Sequence, residues 1–318
     1  MNARVTVIIP ATEGADRIAR LVAYWHGRLV RIILCDGSPD GFSIAATKPT
    51  LHLRRPGSTW IDLVADGVAR VQTDYALVCD TDVFVTPTAI GSAIAWLDVH
   101  PGHAAVQGRH LRAIHGADDV QFEPCEILGG LQMVSAECPS VRVQQIFDPY
   151  LHVVTALHRT ETLRDAFCGF LRGTCISARA LAELLLAMIT AVNGKVRVLP
   201  VPWCVREVSH SGETTSPTPS LLTLLDDPDA ADQIDRFLGS AIVHLMNRAD
   251  VPQGDARTSV GSALDVYLNR YLPRLHRHRL LPAVERAARS LTHRGYPSDD
   301  HEDLVAIRAA LLGAVVQA

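Results

Sequence analysis

Hydrophobic residues occur in short runs along the first part of the chain, and between the runs they recur every three or four positions. The runs predict buried strands over 4–10, 31–36 and 75–80. The helical spacing predicts amphipathic helices over 13–28 and 58–72. Strands that alternate with helices are typical of a mostly parallel sheet with helices on both faces. We therefore predict a Rossmann-like α/β fold.

The pattern becomes less regular in the middle of the chain and mostly helical towards its end. Further strands are predicted over 51–55, 103–111 and 195–207, and further helices from Pro87, from about 159 and over 176–194. Residues 112–150 have no clear period, so we expect irregular strands and loops there. Residues 221–318 show almost wholly helical spacing.

A polar segment rich in Pro, Ser and Thr, 209–220, precedes this helical region. We therefore divide the chain into an α/β domain at 1–215 and a C-terminal helical domain at 216–318. Core packing, dimerisation, cover of an acceptor site and docking on a membrane all stay open as roles of the second domain. We favour packing together with a homodimer.

Composition narrows the class of protein. The 318 residues are 48% hydrophobic and 20% charged, which is enough apolar material for a large core. The net charge of −4 gives no basic footprint for nucleic acid. No run of 18 apolar residues and no leader are visible, and none of the seven cysteines forms a C-x-x-C. We expect a cytoplasmic protein with reduced thiols, and a peripheral membrane role stays open.

Two aspartates, Asp80 and Asp82, stand at the end of the strand 75–80 in the stretch "LVCDTDVFVT". Ligands of open α/β folds bind at this carboxyl edge of the sheet. Side chains two apart on an extended chain point the same way, and paired carboxylates suit Mg²⁺ or Mn²⁺. We therefore predict a metal site. The alternative is that Asp80 caps the loop while Asp82 is solvated.

Three stretches that follow one another in order give this pair a context. They are "VTVIIPATE", "ILCDGSPDG" and "DGVARVQTDYALVCDTDVFVTPTAI". In this order they resemble the nucleotide-binding half of family-2 glycosyltransferases of the GT-A fold, over residues 4 to about 112. The resemblance implies an enzyme that transfers a sugar from a nucleotide-sugar, with UDP favoured, to a hydroxyl on a small molecule, glycan or lipid-linked acceptor.

The resemblance also implies roles for single residues. Asp82 would coordinate the metal on the diphosphate, and Asp80 would lie near both the ribose and the metal. A cation there stabilises the charge that the leaving diphosphate gains. The nucleotide side would be formed by Pro10, Thr12, Glu13, Asp36, Asp80 and Thr81, with Asp36 on the base and Thr12 and Glu13 near the ribose.

A weaker similarity over 150–207 is to a bacterial subgroup that makes cell-surface and secondary-metabolite glycosides. It implies that Arg159, Glu161 and Asp165 face the sugar or acceptor. An inverting transferase needs a carboxylate base, and Glu161 and Asp165 are four apart, so they could share a helix face. We prefer Asp165 as the base, and stabilisation of a helix N-terminus is the structural alternative. His210 would complete the metal site, and an imidazole ligand favours Mn²⁺.

The sequence departs from the family in ways that shape the hypothesis. Cys35 replaces the first of two aspartates that often precede Gly-Ser, and no clear Glu-Asp acceptor motif is present. The Gln-x-x-Arg-Trp motif of processive members is absent, so we expect transfer of a single sugar. The rival hypotheses are a nucleotidyltransferase on a related fold, a haloacid-dehalogenase-type phosphatase and a non-catalytic scaffold or partner subunit.

Overall fold

The computed structural model describes residues 3–42, 51–115, 119–125, 133–173, 176–208, 230–277 and 301–312. The strands are β1 Val5–Ala11, β2 Arg31–Asp36, β3 Leu51–Arg54, β4 Tyr75–Val78, β5 Val83–Val85, β6 His103–His115, β7 Val120–Pro124, β8 Leu157–Arg159 and β9 Lys195–Glu207. The helices are α1 Ala15–Trp25, α2 Trp60–Ala69, α3 Pro87–Val99, α4 Pro139–Phe147, α5 Thr160–Leu163, α6 Arg179–Asn193, α7 Ala231–Ala249, α8 Gln253–Arg277 and α9 Glu302–Leu311.

The strands form one sheet in the order β3-β2-β1-β4-β8-β6-β9-β5, and β7 pairs with β6. The strands β1 to β4, β6 and β9 run in one direction, and β5, β7 and β8 run in the other. The predicted α/β fold with a mostly parallel sheet is confirmed. The sequence did not predict β5, β7, β8 or α4, because these elements are short and carry no sustained apolar period.

Helices cover both faces of the sheet. Along β1, Val7 and Ile9 pack into the core beneath α1, α3 and α9. Ile8 between them points the other way, into the core formed with α2, α4, α6, α7 and α8. The strand is apolar throughout because each successive side chain is buried on the opposite face.

The C-terminal helices are shared between these two cores. Helices α7 and α8 pack beside α4 and α6, whereas α9 lies beside α1 on the opposite face. The Asp303 carboxylate on α9 accepts a hydrogen bond from the Thr88 amide at 3.0 Å. Arg20 on α1 donates to the Leu311 carbonyl at 3.3 Å. The proposed boundary between 215 and 216 lies outside the described residues, so the division into domains stays a prediction.

Two residues at helix ends have roles other than capping. Thr86 directly precedes α3, but its hydroxyl donates to the Pro202 carbonyl at 2.7 Å instead of capping the helix. Gly194 ends α6 with an extended φ of 174°. A Cβ at Gly194 would lie 2.8 Å from both the Ala104 nitrogen and the Gly102 oxygen, so close backbone approach explains the glycine.

Within the described part of the chain, none of the helices combines the length and apolar character needed to cross a membrane. The described cysteines are free thiols, as expected, and Cys175 lies outside the described residues.

Two buried histidines should make the fold sensitive to acid. Burial lowers the pKa of His110 to about 3 and that of His158 to about 4. A histidine in the unfolded chain has a pKa of about 6.5. As the pH falls from about 6.5 towards 4, the unfolded chain therefore binds protons at these two positions while the folded chain does not. Stability present at pH 7 is therefore lost on acidification, by up to about 1.4 kcal/mol per pH unit for each histidine.

Urea unfolding at pH 7, 6 and 5 measures this loss. In His158→Gln the amide replaces the ring nitrogen that bonds the Val153 carbonyl at 2.7 Å, so the variant should fold with a shallower pH slope. The variant His26→Gln, at an exposed position, should keep the wild-type slope. An unchanged slope in His158→Gln would show that His158 contributes nothing to the pH dependence.

Candidate active site

The carboxyl ends of β1, β2 and β4 meet at one edge of the sheet because these strands are parallel neighbours. Pro10 is buried near the end of β1, and Thr12 and Glu13 are exposed just beyond it. Asp36 ends β2, and Asp80 lies two residues beyond β4. The structure thus brings the residues predicted to surround the nucleotide to the same edge, while their binding roles stay predictions.

Asp36 is fully buried and organises the turn that follows it. Its Oδ1 accepts hydrogen bonds from the Ser38 amide at 2.9 Å and the Ser38 hydroxyl at 2.6 Å. Its Oδ2 accepts from the Phe42 amide at 2.9 Å and lies 3.2 Å from His52 Nε2. A nucleobase that binds Asp36 would have to share an oxygen with one of these donors.

The aspartate pair lies in a turn and not on an extended strand. β4 ends at Val78, and the Val83 amide donates to the Asp80 carbonyl at 3.1 Å, which closes a four-residue turn. The alternation argument for Asp80 and Asp82 was therefore wrong. Thr81 is half-buried between them. The two carboxylates still converge, because both approach the guanidinium of Arg206 on β9.

Asp80 is held from three directions. Trp60 Nε1, at the start of α2, donates to Oδ1 at 3.0 Å. Arg179, at the start of α6, donates to Oδ2 at 2.5 Å, and Arg206 lies 3.7 Å from the same oxygen. Burial raises the pKa of Asp80, and the two arginines outweigh burial and lower it to about 2. Asp80 is therefore ionised at neutral pH.

Asp82 is less well compensated. Its Oδ2 lies 3.3 Å from Arg206 NH1. Burial and then the neighbouring charge of Asp80 raise the pKa of Asp82, against the opposing effect of Arg206. Together with Glu183, the aspartates place three carboxylates around two guanidinium groups. The cluster is short of positive charge by this count, and Asp82 is the member with the weakest pairing.

This arrangement fits a divalent cation that is bound together with a substrate. Among the described residues, no group of three or more His, Cys, Asp or Glu side chains could hold a metal alone. Mg²⁺ commonly takes one or two carboxylates, and substrate phosphates and water complete its shell. Asp82 and Asp80 supply such a pair. His210, the predicted third ligand, lies outside the described residues.

Glu183 adds a buried carboxylate behind Arg179. It lies one helical turn after Arg179 on α6 and accepts from Arg179 Nε at 2.7 Å. Its other oxygen lies 3.5 Å from His152 Nε2, and only 2% of the residue is exposed. Burial opposes ionisation, but His152 and Arg179 lower the pKa of Glu183 below its ordinary value. One guanidinium therefore links Glu183 directly to Asp80.

The structure does not bring Arg159 and Glu161 to this cluster. Arg159 pairs with Tyr75 at the start of β4, at the opposite end of this strand from the turn that holds Asp80. Its guanidinium donates to the carbonyls of Leu97 and His103, at 2.7 and 2.8 Å. Glu161 follows on the exposed side of α5. The expected contacts of these residues with sugar or acceptor therefore do not fit their placement.

Asp165 is also placed away from the pair. It accepts from Asn193 at 2.9 Å and from Arg248 at 2.6 Å, so it joins α7 to the end of α6. Asn193 lies about 20 Å along α6 from Arg179. A π-helical turn over Arg164–Phe170 also replaces the α-helical spacing assumed for Glu161 and Asp165. Asp165, the preferred base of the sequence interpretation, therefore lies beside the C-terminal end of α6, whereas the aspartate pair lies beside the start of this helix.

Four residues of the cluster were missed by the sequence interpretation: Trp60, Arg179, Glu183 and Arg206. The first three lie at the starts of α2 and α6, which were predicted only as helices. Arg206 meets the aspartates because β9 pairs antiparallel with β5, with Arg206 opposite Val83. The pairing of two strands so distant in sequence has no local signal, although both helix starts were predicted to within three residues.

Comparisons with known proteins reveal a structural likeness only. No family model matches the chain, and no curated protein matches it. A crystal structure of S. aureus TarS matches with a TM-score of 0.52 and 14% identity, over 92% of this chain and 47% of that chain. TarS 1–349 in complex with UDP-GlcNAc matches with a TM-score of 0.51 and 13% identity, over 91% and 78%.

A further structure of TarS 1–349 matches over 99% of this chain and 83% of that chain, with a TM-score of 0.52 and 13% identity. The chain spans about half the length of the longer TarS chain. At such low identity the likeness concerns the fold and not the activity. The chain therefore has the GT-A fold of TarS.

Proposed function

We propose that the protein is a glycosyltransferase that moves a single sugar from a nucleoside-diphosphate sugar to a hydroxyl acceptor. The carrying observation is the Asp80–Asp82 pair at the carboxyl edge of a GT-A fold. The structures of TarS 1–349 with UDP-GlcNAc and with UDP support a UDP-sugar as the donor. A hydroxyl of a surface polysaccharide or a secondary metabolite is the acceptor that we favour.

In this proposal the residues at the carboxyl edge of the sheet stabilise the negative charge of the leaving diphosphate. Transfer breaks the bond between the anomeric carbon and a diphosphate oxygen, and negative charge grows on that oxygen. Asp82 and Asp80 would hold Mg²⁺ or Mn²⁺, which when bound supplies positive charge to the diphosphate. Thr12, Glu13 and Thr81 border the nucleoside. The low pKa of Asp80 keeps its carboxylate ionised at neutral pH.

The acceptor hydroxyl loses a proton as its oxygen bonds the anomeric carbon. A carboxylate within reach of that hydroxyl accelerates the step. Glu183 is only 2% exposed behind Arg179, so it does not meet that hydroxyl itself; we assign it the positioning of Arg179, whose guanidinium joins it to Asp80. His152, 3.5 Å from the second oxygen of Glu183, faces the same carboxylate.

Thermal unfolding with UDP, GDP, CDP and ADP, each with Mn²⁺ or with EDTA, tests the proposed function. A nucleotide at about a hundred times its Kd adds about 2.7 kcal/mol, which raises Tm by roughly 5 °C in a chain of this size. We expect one nucleotide to give this shift with Mn²⁺. Asp82→Asn should lose most of the shift, because it removes the carboxylate with the weakest protein pairing.

The variant Asp265→Asn, at an exposed aspartate on α8, is the control and should shift like the wild type. If no nucleotide raises Tm under any condition, the transferase proposal fails and the scaffold hypothesis takes its place. If the shift survives in Asp82→Asn, nucleotide binding stands but Asp82 is not the metal ligand.

A further inference from the structure

Two arginines from distant parts of the chain meet at one oxygen atom. Arg179 NH2 lies 2.5 Å and Arg206 NH2 lies 3.7 Å from Asp80 Oδ2. Arg179 comes from the start of α6 and Arg206 from the end of β9. Two like charges held this close repel each other, and the surrounding carboxylates offset that repulsion. The convergence places two guanidinium groups, each with several N–H donors, beside the aspartate turn.

The guanidinium of Arg179 is held in place by contacts that involve only some of its N–H donors. It lies 4.4 Å from the centre of the Trp60 ring and donates through Nε to Glu183 and through NH2 to Asp80. A guanidinium carries five N–H donors, so further donors stay available. The Arg179 side chain is 39% exposed and that of Arg206 is 20% exposed, whereas their carboxylate partners are 17% exposed or less. Part of each arginine therefore reaches the surface, whereas Asp80 and Glu183 are almost fully enclosed.

We propose that Arg179 and Arg206 bind the diphosphate of the donor directly, so that part of the nucleotide affinity does not require a metal. This inference rests on the proposed function. A diphosphate presents two adjacent phosphoryl groups, and planar guanidinium forks match phosphate oxygens in two-point hydrogen bonds. The Trp60 stack and the buried carboxylates hold Arg179 in place before the ligand arrives, which lowers the entropy cost of binding.

An arginine at the opposite edge of the sheet provides a matched comparison. Arg4 also bridges two aspartates, Asp74 at 3.0 Å and Asp98 at 2.7 Å. There the carboxylates are 62% and 38% exposed, so the ion pairs lie in solvent on the surface. Replacing Arg4 thus removes a guanidinium with the same number of carboxylate partners and leaves the carboxyl edge untouched.

Calorimetric titration with UDP, uridine and inorganic pyrophosphate, each with Mn²⁺ and with EDTA, tests the inference. We expect wild type to bind UDP and pyrophosphate in EDTA, at least tenfold more weakly than with Mn²⁺. Arg206→Gln should weaken both ligands at least tenfold in EDTA and leave uridine unchanged. Arg206→Lys keeps the positive charge but loses the planar guanidinium that makes two-point hydrogen bonds. Its affinity for UDP and pyrophosphate in EDTA should therefore lie between those of the wild type and Arg206→Gln. Arg4→Gln should match the wild type.

The variant Asp82→Asn combined with Arg206→Gln guards against misfolding, because it removes both charges of one ion pair. This double variant should keep the wild-type circular dichroism spectrum, and in EDTA it should bind UDP at least tenfold more weakly than the wild type does. UDP binding to the wild type with Mn²⁺ but not in EDTA overturns the arginine inference and leaves the proposed function standing. Equal binding by wild type and Arg206→Gln in EDTA does the same. No UDP binding with Mn²⁺ removes the proposed function itself.

Discussion

Glu183→Gln is expected to lower turnover by about tenfold or more while the protein still binds its nucleotide with Mn²⁺. The variant loses the negative charge that holds Arg179 in place, and a hydrogen bond to a charged group contributes about 1.5–3 kcal/mol. The amide keeps the size of the carboxylate and can still accept from Arg179 Nε, which lies 2.7 Å from Oε1. Release of the nucleoside diphosphate from the nucleotide-sugar that gives the largest thermal shift measures the loss, and the shift itself should persist.

Asp165→Asn separates this assignment from the sequence interpretation. Asp165 joins Asn193 and Arg248 at the far end of α6, so its variant should lose stability but keep turnover within about threefold of the wild type. If Asp165→Asn loses turnover a hundredfold while Glu183→Gln does not, the base is Asp165, and α6 must be placed differently when substrate is bound.

Arg142→Ala is expected to lower the free energy of unfolding by about 3 kcal/mol or more. The side chain is buried and donates to the carbonyls of Ala191 at 2.6 Å and Val192 at 2.9 Å, at the end of α6. It also donates to the carbonyls of Ala136 at 3.0 Å and Glu137 at 2.6 Å, just before α4. Each buried carbonyl left without a donor costs about 1–3 kcal/mol.

Urea unfolding and thermal melting would measure this loss, which corresponds to roughly 6 °C in Tm. Arg112→Ala is the control, because Arg112 binds only the half-exposed Glu123 among its described hydrogen bonds, and we expect a loss of about 1 kcal/mol or less. An equal effect of the two substitutions would show that the bonds of Arg142 to the end of α6 contribute no more than a surface ion pair.

The structure differs from the sequence hypothesis in the partners of the two aspartate carboxylates. The sequence interpretation placed Asp80 and Asp82 side by side on an extended strand with a metal as their main partner. In the structure Asp80 is already paired with Arg179, and only Asp82 lacks full compensation. A divalent cation would therefore act mainly through Asp82, and the arginines would share in the neutralisation of the diphosphate.

Apart from β5, the sequence by itself determined the strands and helices over residues 4 to about 112. Buried strands such as β1, β2 and β4 carry unbroken apolar runs, and α1 and α2 carry apolar stripes, so local patterns suffice. The position of Asp80 at the carboxyl edge followed as well, because parallel neighbouring strands end at the same edge. The motif order then indicated the GT-A fold, which the likeness to TarS confirms.

Only the tertiary structure decided which charges surround the aspartates. Arg179 and Arg206 lie 99 and 124 residues from their nearest aspartate partners. They reach the site because α6 begins at the carboxyl edge and β9 returns antiparallel to β5. Such contacts depend on how helices and strands cross the sheet, and this arrangement follows from burial over the whole chain. The same packing places Glu183 behind Arg179 and moves Asp165 to the far end of α6, where no local spacing could have located it.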